Sequence, residues 1–348
     1  MPVPQKLLLS LEHVKGFDRK AFEEIHASGE QVTSVRMNPA KPAMLNGDWS
    51  METIPWCVYG YYLSKRPSFT LDPVFHAGAY YVQEASSMFI WHVLKEVVGT
   101  NTYQKVLDLC AAPGGKSTLL ASYFRDGLVI ANEVIKSRAA VLVENITKWG
   151  SDNVIVTNNN PSHFQSLPGY FDVMVIDAPC SGSGLFRKDP DAINEWSEDN
   201  VQLCSQRQQR ILADVLPALK EDGLLIYSTC SYSAEEDEVI ADWLVREMNM
   251  QSKQLAVDIE WKIIETCSPE KNAYCYRFYP DKIKGEGFFV AVFQKKASAD
   301  SFRLKTQSLA TPSKQECQQV QSFIEMPADF ELFKQADTVR GIKKEWLH

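Results

Sequence analysis

Short apolar runs alternate with amphipathic segments through the middle of the chain. Runs such as Phe171–Pro179 (FDVMVIDAP) are continuous, which is typical of strands buried on both faces. The other apolar runs are Lys105–Cys110, Leu128–Glu133, Asn153–Asn158 and Gly223–Cys230. The segments with helical periodicity are Lys116–Tyr123, Lys136–Trp149, Asn200–Leu219 and Ala234–Met248. This alternation predicts an α/β fold with a parallel, doubly wound sheet.

Two later apolar runs, Trp261–Cys267 and Gly287–Gln294, are predicted to form an antiparallel strand pair that closes one edge of this sheet. We therefore place the α/β domain at residues 75–297. The tail, residues 298–348, is polar at first and then weakly helical, and it has no clear core of its own.

The first 74 residues follow a different pattern. They predict a helix over Asp18–Ser28, a strand over Ser34–Pro39 and an aromatic stretch over Pro55–Leu63. We therefore expect residues 1–74 to form a small α+β module. No apolar run approaches the roughly 20 residues of a membrane helix, and Met1–Ser10 lacks the pattern of a secretory signal. A cytoplasmic protein is the resulting expectation.

Composition excludes several classes of protein. The chain has 348 residues, of which 45% are hydrophobic and 23% charged, as in ordinary globular proteins of two or three domains. A disordered chain and a disulfide miniprotein are therefore excluded. None of the eight cysteines forms a C-x-x-C pair, so we expect no metal site.

The formal net charge of −8 argues, taken alone, against a nucleic-acid binder, because phosphate contacts need lysine and arginine. The acidity is not evenly spread, however. Residues 101–250 carry 12 basic and 21 acidic residues, whereas the segments on either side are close to neutral. The total charge therefore does not exclude an RNA substrate.

The segment Asp108–Ser117 (DLCAAPGGKS) has the pattern of a strand, a glycine turn and a helix start, which can hold a ligand. It nearly matches a P-loop, but Cys110 occupies a position where the phosphate cradle needs glycine. The dinucleotide pattern G-x-G-x-x-G is absent. A third possibility is S-adenosylmethionine (SAM), since Glu133 ends the next strand where a ribose-binding acid should lie. A turn without any ligand also stays open.

Two cysteines follow the ends of later strands. Cys180 lies in Asp177–Gly184 (DAPCSGSG), and Cys230 lies in Ser228–Tyr232 (STCSY). Ligands of open α/β sheets bind beyond the carboxyl ends of the strands, so both cysteines should face one crevice. A thiolate that adds to C6 of a pyrimidine makes C5 nucleophilic toward a methyl donor.

Taken together, these segments resemble the Sun family of RNA cytosine-5 methyltransferases, most closely its bacterial 16S ribosomal RNA cytosine-5 methyltransferase F group. The matching stretches are Phe75–Phe89, Cys110–Lys116, Ala131–Arg138, Asp177–Gly184, Phe186–Pro190, Ser228–Tyr232 and Gly285–Phe289. The resemblance implies a Rossmann-like class I SAM-dependent methyltransferase fold with a small N-terminal, RNA-binding-like α+β module. It also implies SAM as cofactor and RNA, above all 16S ribosomal RNA, as substrate.

The resemblance also implies the catalytic residues. Cys230 matches the nucleophile that adds to C6, and Cys180 matches the cysteine that helps to release the product. Asp177 matches an acid whose expected partner is the exocyclic amine or protonated N3 of cytosine. Lys188 matches a lysine near the site, and we expect Arg187 and Lys188 to contact RNA.

The resemblance implies a SAM pocket as well. The residues implied in it are Cys110, Ala111, Ala112, Pro113, Gly114, Gly115, Lys116, Glu133, Arg138, Asp177 and Asn160. Asn160 departs from the family, which has an acid there. An amide oxygen can still accept a hydrogen bond from the adenine N6 amine.

The acidic run Glu235–Glu238 is predicted to be a solvated helix start. Relatives often carry a further C-terminal RNA-binding domain, so residues 298–348 are expected to be a tail or the start of a truncated domain. We expect a monomer that binds naked RNA weakly. A tRNA methyltransferase, a P-loop NTPase and a non-catalytic RNA-binding module stay open as alternatives.

Overall fold

The computed structural model describes residues 3–42, 49–298 and 309–346. They belong to two compact units, residues 1–300 and residues 301–348. The predicted polar start of the tail lies largely outside the described residues. No helix of the described part is both long enough and apolar enough to cross a membrane.

The first unit mixes helices and strands along its length. The helices are α1 (Gln5–Leu11), α2 (Arg19–Ala27), α3 (Pro73–His76), α4 (Phe89–Val97), α5 (Gly115–Tyr123), α6 (Lys136–Trp149), α7 (Ala192–Glu195), α8 (Glu198–Val215) and α9 (Glu238–Glu247). The strands are β1 (Thr33–Met37), β2 (Met51–Thr53), β3 (Gly60–Leu63), β4 (Tyr80–Val82), β5 (Lys105–Asp108), β6 (Leu128–Asn132), β7 (Val154–Thr157), β8 (Phe171–Asp177), β9 (Leu219–Thr229), β10 (Met250–Ser252), β11 (Ile264–Cys267), β12 (Tyr274–Phe278) and β13 (Phe288–Lys295).

The larger sheet has the strand order β11-β12-β13-β9-β8-β5-β6-β7, and β10 pairs with the end of β13. Strands β9, β8, β5, β6 and β7 run parallel, as the sequence predicts. Consecutive residues such as Met174, Val175 and Ile176 are all fully buried. The continuous apolar runs therefore reflect burial on both faces of the strands.

The prediction for the antiparallel edge is wrong in one respect. Both predicted runs form strands, but β11 and β13 do not pair with each other, since β12 lies between them. The sequence of β12, YCYRF, contains Arg277, which is 1% exposed. The arginine is stable there because its guanidinium donates hydrogen bonds to Glu238 and lies 3.2 Å from Asp237 Oδ2.

The N-terminal segment forms a second, antiparallel sheet with the order β2-β3-β1-β4. The predicted helix and strand appear as α2 and β1, and Asp18 caps α2 by accepting a hydrogen bond from the Ala21 N–H. Helix α1 was not predicted; its buried leucines, Leu7, Leu8 and Leu11, pack in one hydrophobic cluster with Phe22, Tyr232 and Tyr279. The predicted domain boundaries after residues 74 and 297 stay predictions.

The second unit, as far as it is described, contains helix α10 (Lys314–Phe323) and a hairpin of β14 (Phe330–Gln335) and β15 (Thr338–Lys343). A capping box formed by Ser313 and Glu316 begins α10. The sequence predicts weak helical character in this region but not the hairpin. Its two-residue turn contains Ala336 with φ +51° instead of the Asn-Gly or Asp-Gly pair that signals such turns.

Candidate active site

Two cysteines meet at the carboxyl ends of neighbouring strands. Strands β8 and β9 pair in parallel, with Asp177 opposite Ser228, so the turns that follow them begin side by side. As a result, Cys180 Sγ and Cys230 Sγ lie 3.1 Å apart, and both residues are partly exposed. A Cβ on Gly184 would lie 2.8 Å from the Cys230 carbonyl oxygen, so the close approach of the turns requires glycine there.

An ion pair lies beside the cysteines. Lys116 Nζ is 2.8 Å from Asp177 Oδ2, and Ser228 Oγ donates a hydrogen bond of 2.8 Å to Asp177 Oδ1. Burial alone would lower the pKa of Lys116, but the carboxylates of Asp177 and Asp108 raise it above its ordinary value. Lys116 therefore stays charged and fixes the Asp177 carboxylate, which is 35% exposed and accessible from the crevice.

The glycine turn connects β5 to α5. Gly114 has φ +117°, a left-handed conformation that favours glycine, and it forms the N-cap of α5. The turn is held from outside, because Arg138 Nη2 donates to the Ala112 carbonyl at 2.9 Å and Asn145 Nδ2 donates to the Pro113 carbonyl at 2.8 Å. The N–H groups of the first helical turn are left for a ligand, as at other helix starts.

A buried acid lies directly beneath this turn. Asp108 at the end of β5 is fully buried, and its Oδ2 accepts a hydrogen bond of 2.6 Å from Ser117 Oγ. Burial raises the pKa of Asp108 to about 7. Among the described residues, its Oδ1 has no hydrogen-bond partner.

Glu133 presents an unsatisfied carboxylate oxygen at the end of β6. The residue is 2% exposed, and its Oε1 accepts a hydrogen bond of 3.0 Å from the Ile135 N–H. Its Oε2 lies 3.6 Å from Arg138 Nη1 and has no hydrogen-bond partner in the described part of the chain. Such an oxygen fits a hydroxyl donor of a bound ligand.

An apolar surface next to Glu133 was not predicted from the sequence. Val134 is 53% exposed and Ile135 is 49% exposed, so two adjacent branched aliphatic side chains lie open to solvent. They offer a contact for an aromatic base beside the carboxylate. The sequence signal for it is a pair of apolar residues directly after the strand-ending acid and before the polar start of α6.

The match to known families decides the assignment. Residues 97–294 match the 16S rRNA methyltransferase RsmB/F family. The chain belongs to this family. Residues 3–85 also match the N-terminal domain of 16S rRNA methyltransferase RsmF. Both matches confirm the resemblance inferred from the motifs.

Individual relatives agree with the RsmB/F assignment. The chain is 37% identical over 252 residues to ribosomal RNA small subunit methyltransferase F of Psychromonas ingrahamii, covering 71% of this chain and 52% of that protein. The chain thus spans about half the length of the curated relatives it matches.

Two solved structures from Pyrococcus horikoshii share the fold. A methyltransferase homolog protein superposes with a TM-score of 0.67 at 27% identity, over 84% of this chain and 100% of that chain. NSun6 with SFG superposes with a TM-score of 0.72 at 20% identity, over 85% of this chain and 99% of that chain. The expected Rossmann-like methyltransferase fold is confirmed.

Of the residues predicted to contact RNA or adenine in this RsmB/F chain, some are exposed and others are buried or already hydrogen-bonded. The Arg187 side chain is buried, donates hydrogen bonds to the Glu30 and Gly285 carbonyls, and so cannot contact RNA as predicted. Lys188, its neighbour, is exposed. Asn160 is exposed too, but its Oδ1 already accepts hydrogen bonds from the Ser162 N–H and Oγ at 3.2 and 3.0 Å. The predicted adenine contact of Asn160 would compete with these bonds and stays a prediction.

The P-loop alternative does not fit this geometry. Lys116, which a P-loop would direct at a phosphate, binds Asp177 instead, and the matched family is a methyltransferase family. Among the described residues, no group of three or more histidine, cysteine, aspartate or glutamate side chains could hold a metal ion.

The prediction of a solvated acidic helix start at Glu235–Glu238 is wrong. Glu236 and Asp237 are fully buried and Glu238 is 6% exposed. Asp237 and Glu238 face the buried Arg277, which lies far along the chain and could not be recognised as their partner from local pattern. Glu236 binds the two cysteine turns, and it is a residue near the site that sequence reasoning did not identify.

Proposed function

We propose that this chain is a SAM-dependent RNA cytosine-5 methyltransferase that acts on 16S ribosomal RNA through Cys230. The observation that supports this most is the pair of thiols 3.1 Å apart at the ends of adjacent parallel strands, beside a carboxylate held by a lysine. Membership of the RsmB/F family and the name of the relatives, ribosomal RNA small subunit methyltransferase F, support ribosomal RNA as the substrate.

The chain's residues fit SAM. The start of α5 at Gly115 offers N–H groups to the carboxylate of its amino-acid part. Glu133 Oε2, buried and without a hydrogen-bond partner among the described residues, fits the ribose hydroxyls, and Val134 and Ile135 fit the adenine. When bound, SAM supplies a methyl group as an electrophile.

Cys230 makes and breaks the covalent bond to the base. Its thiolate adds to C6 of a cytosine turned out of its stack, and the electron pair of the C5–C6 double bond moves toward C5. C5 would then bond to the methyl group of bound SAM as the methyl–sulfur bond breaks, and S-adenosylhomocysteine would leave with that electron pair. Loss of the C5 proton to a base such as water restores the double bond and expels Cys230 as a thiolate.

Asp177 holds the cytosine ring during these steps. Its carboxylate accepts a hydrogen bond from the exocyclic amine, which cytosine has and uracil lacks. Lys116 and Ser228 each bind one of its oxygens, so the carboxylate is oriented before the base arrives. The arrangement therefore favours cytosine over uracil.

Cys180 assists release of the product. Its hydrogen bond with Cys230, together with burial, raises the pKa of Cys180 above that of an ordinary thiol. A protonated Cys180 can donate a hydrogen bond to the sulfur of Cys230 as that sulfur leaves C6. This stabilises the departing thiolate, in agreement with the role implied by the family resemblance.

We propose that the enzyme acts in the cytoplasm, in keeping with a ribosomal RNA substrate, and that it acts as a monomer. Lys188 is exposed just beyond the Cys180 turn, where it can contact the RNA backbone. Because the net charge is −8, we expect the binding of naked RNA to be weak and to weaken further with salt.

The function is tested by incubating the purified chain with SAM and either unmodified 16S ribosomal RNA, unmodified small subunits or unmodified tRNA. Bisulfite sequencing then locates 5-methylcytosine. A protected cytosine in 16S ribosomal RNA, free or in the subunit, supports the proposal. Protection in tRNA alone overturns the substrate assignment, and no methylation of any RNA overturns the proposed activity of this chain.

A further inference from the structure

One buried carboxylate binds both cysteine turns. Glu236 Oε1 accepts a hydrogen bond of 2.7 Å from the Ser181 N–H. Glu236 Oε2 accepts hydrogen bonds of 2.6 Å from the hydroxyls of both Ser181 and Ser231. Ser181 directly follows Cys180 and Ser231 directly follows Cys230, so this one side chain links the two turns next to both thiols.

Glu236 is itself rigidly held. Its carbonyl accepts a hydrogen bond of 2.6 Å from the Tyr227 hydroxyl, and its N–H donates to the Ser233 carbonyl at 3.0 Å. The amide of Gln208 donates to the Pro179 carbonyl at 3.1 Å and lies 3.4 Å from Glu236 Oε1. The position of the Glu236 carboxylate is therefore fixed, and the turns that carry Cys180 and Cys230 are hydrogen-bonded to it.

The surroundings of Glu236 differ from those of the two acids that follow it. Asp237 and Glu238 share the guanidinium of Arg277. Within the described residues, the hydrogen-bond donors to Glu236 are neutral hydroxyl, amide and backbone groups. Burial raises the pKa of Glu236, while the hydrogen bonds from the two serines lower it.

A structural purpose alone does not require an acid at this position, since a neutral side chain could fill the space at lower desolvation cost. The negative charge lies close enough to Cys180 to raise its pKa, in addition to the larger effects of the Cys230 hydrogen bond and burial. The carboxylate thus acts on Cys180 through its charge as well as through its hydrogen bonds to the turns.

We propose that Glu236 is a positioning residue that holds Cys180 and Cys230 at hydrogen-bonding distance and thereby controls the release of Cys230 from the methylated base. It touches neither base nor cofactor and acts through Ser181 and Ser231. The inference rests on the proposed function for its catalytic consequence, but its effect on Cys180 does not require a substrate.

The substrate-free test measures alkylation of Cys180 by iodoacetamide as a function of pH, in a Cys230→Ala background, with the alkylated peptide identified by mass spectrometry. Adding Glu236→Gln is expected to lower the alkylation midpoint by about one pH unit, because a nearby negative charge is removed. Glu235→Gln, which changes the adjacent half-buried acid, is the matched control and should leave the midpoint in place. An unchanged midpoint in Glu236→Gln contradicts the effect of the Glu236 charge on Cys180.

The catalytic test uses chains with both cysteines present, 16S ribosomal RNA and SAM. We expect Glu236→Gln to lower kcat about tenfold, to leave KM for SAM within about twofold, and to accumulate a covalent protein–RNA adduct on denaturing gels. Normal turnover without adduct overturns the inference. A shifted alkylation midpoint with no methylation by the unaltered chain would instead overturn the proposed function alone.

A milder variant keeps the inference testable if Glu236→Gln fails to fold. Ser181→Ala removes one hydroxyl donor and leaves both the charge and the Ser181 N–H bond in place. It should accumulate adduct while the alkylation midpoint of Cys180 stays within about 0.3 units of the parent. A Ser181→Ala variant with wild-type turnover and no adduct contradicts the positioning role.

Discussion

Lys116 Nζ lies 2.8 Å from Asp177 Oδ2, and this contact joins the helix that follows the glycine turn to the strand that precedes Cys180. The family resemblance implies Lys116 in the cofactor pocket, and this stays a prediction. The Lys116 ammonium fixes the acid proposed to hold the cytosine. We therefore propose that the same helix start serves the cofactor through its backbone and the base through its side chain.

Replacing this lysine should affect turnover more than cofactor binding. In Lys116→Met the carboxylate of Asp177 loses its fixed cation, so we expect kcat to fall about 100-fold. The dissociation constant for SAM, measured by calorimetry, should rise less than about tenfold. Lys95→Met, which changes an exposed lysine of α4, is the control and should behave as wild type. A loss of SAM binding with unchanged kcat at saturation would contradict this division of roles.

Glu133→Gln tests the cofactor assignment directly. The substitution keeps the size of the side chain but replaces an acceptor oxygen by a donor amide, and lost hydrogen bonds to charged groups cost about 1.5–3 kcal/mol. We therefore expect the dissociation constant for SAM to rise about 10- to 100-fold in calorimetry. Glu144→Gln, on the exposed face of α6, should leave it unchanged. Equal affinities of Glu133→Gln and wild type would rule out the ribose contact.

Cys180→Ala should trap the covalent intermediate. Without the Cys180 thiol, the departing sulfur of Cys230 loses a hydrogen-bond donor that lies 3.1 Å away. A denaturant-stable protein–RNA species should appear on gels when the variant is mixed with 16S ribosomal RNA and SAM. Cys267→Ala, which removes an exposed cysteine, should form no persistent adduct. The release role fails if Cys180→Ala turns over normally without adduct.

Arg277→Met should strongly destabilise the fold. It would leave Asp237 and Glu238 buried without their cation, and breaking a buried pair costs about 3–5 kcal/mol. The free energy of unfolding in urea should fall by that amount. Arg246→Met removes an exposed arginine that pairs with Glu247 and Glu270 and should have a much smaller effect. Similar losses in the two variants would contradict the stabilising role of Arg277.

The stability of the protein should depend on pH through Asp108. Its pKa is raised from 3.8 to about 7 in the folded chain, so the folded state holds a proton that the unfolded state has lost between those values. The contribution of Asp108 to the free energy of unfolding should therefore fall as pH rises from about 4 to about 7. Asp108→Asn should flatten this decline, whereas Asp199→Asn, an exposed acid of α8, should retain it. An unaltered slope in Asp108→Asn would contradict the assignment.

The parts of the fold that the sequence predicted share one property: their signal is local. Continuous apolar runs identified the parallel strands, and strand-end motifs brought Cys180 and Cys230 to one crevice. Two of the misses, the buried acidic run and strand β12, depend on distant partners. The burial of Asp237 and Glu238 requires Arg277. Because Arg277 is charged, the sequence of β12 does not show the pattern of a buried strand. The hairpin of the second unit was missed because its turn lacks the glycine or asparagine that usually signals one.

In the candidate site, too, features with a local sequence signal were predicted and contacts between distant residues were not. Motifs indicated the residues, but the pairing of Lys116 with Asp177 and the hydrogen bonds of Glu236 depend on three-dimensional arrangement. Arg187 follows the same turn as Lys188, yet its side chain is buried by contacts with backbone carbonyls that no local pattern reveals.

The proposed function depends above all on Cys230 as the nucleophile of SAM-dependent methyl transfer to cytosine C5. The decisive measurement is mass spectrometry of nucleosides from unmodified 16S ribosomal RNA incubated with SAM and either the unaltered chain or Cys230→Ala. We expect 5-methylcytidine with the unaltered chain and none with Cys230→Ala, although the variant still binds SAM in calorimetry. Methylation by Cys230→Ala at the rate of the unaltered chain would show that Cys230 is not the nucleophile.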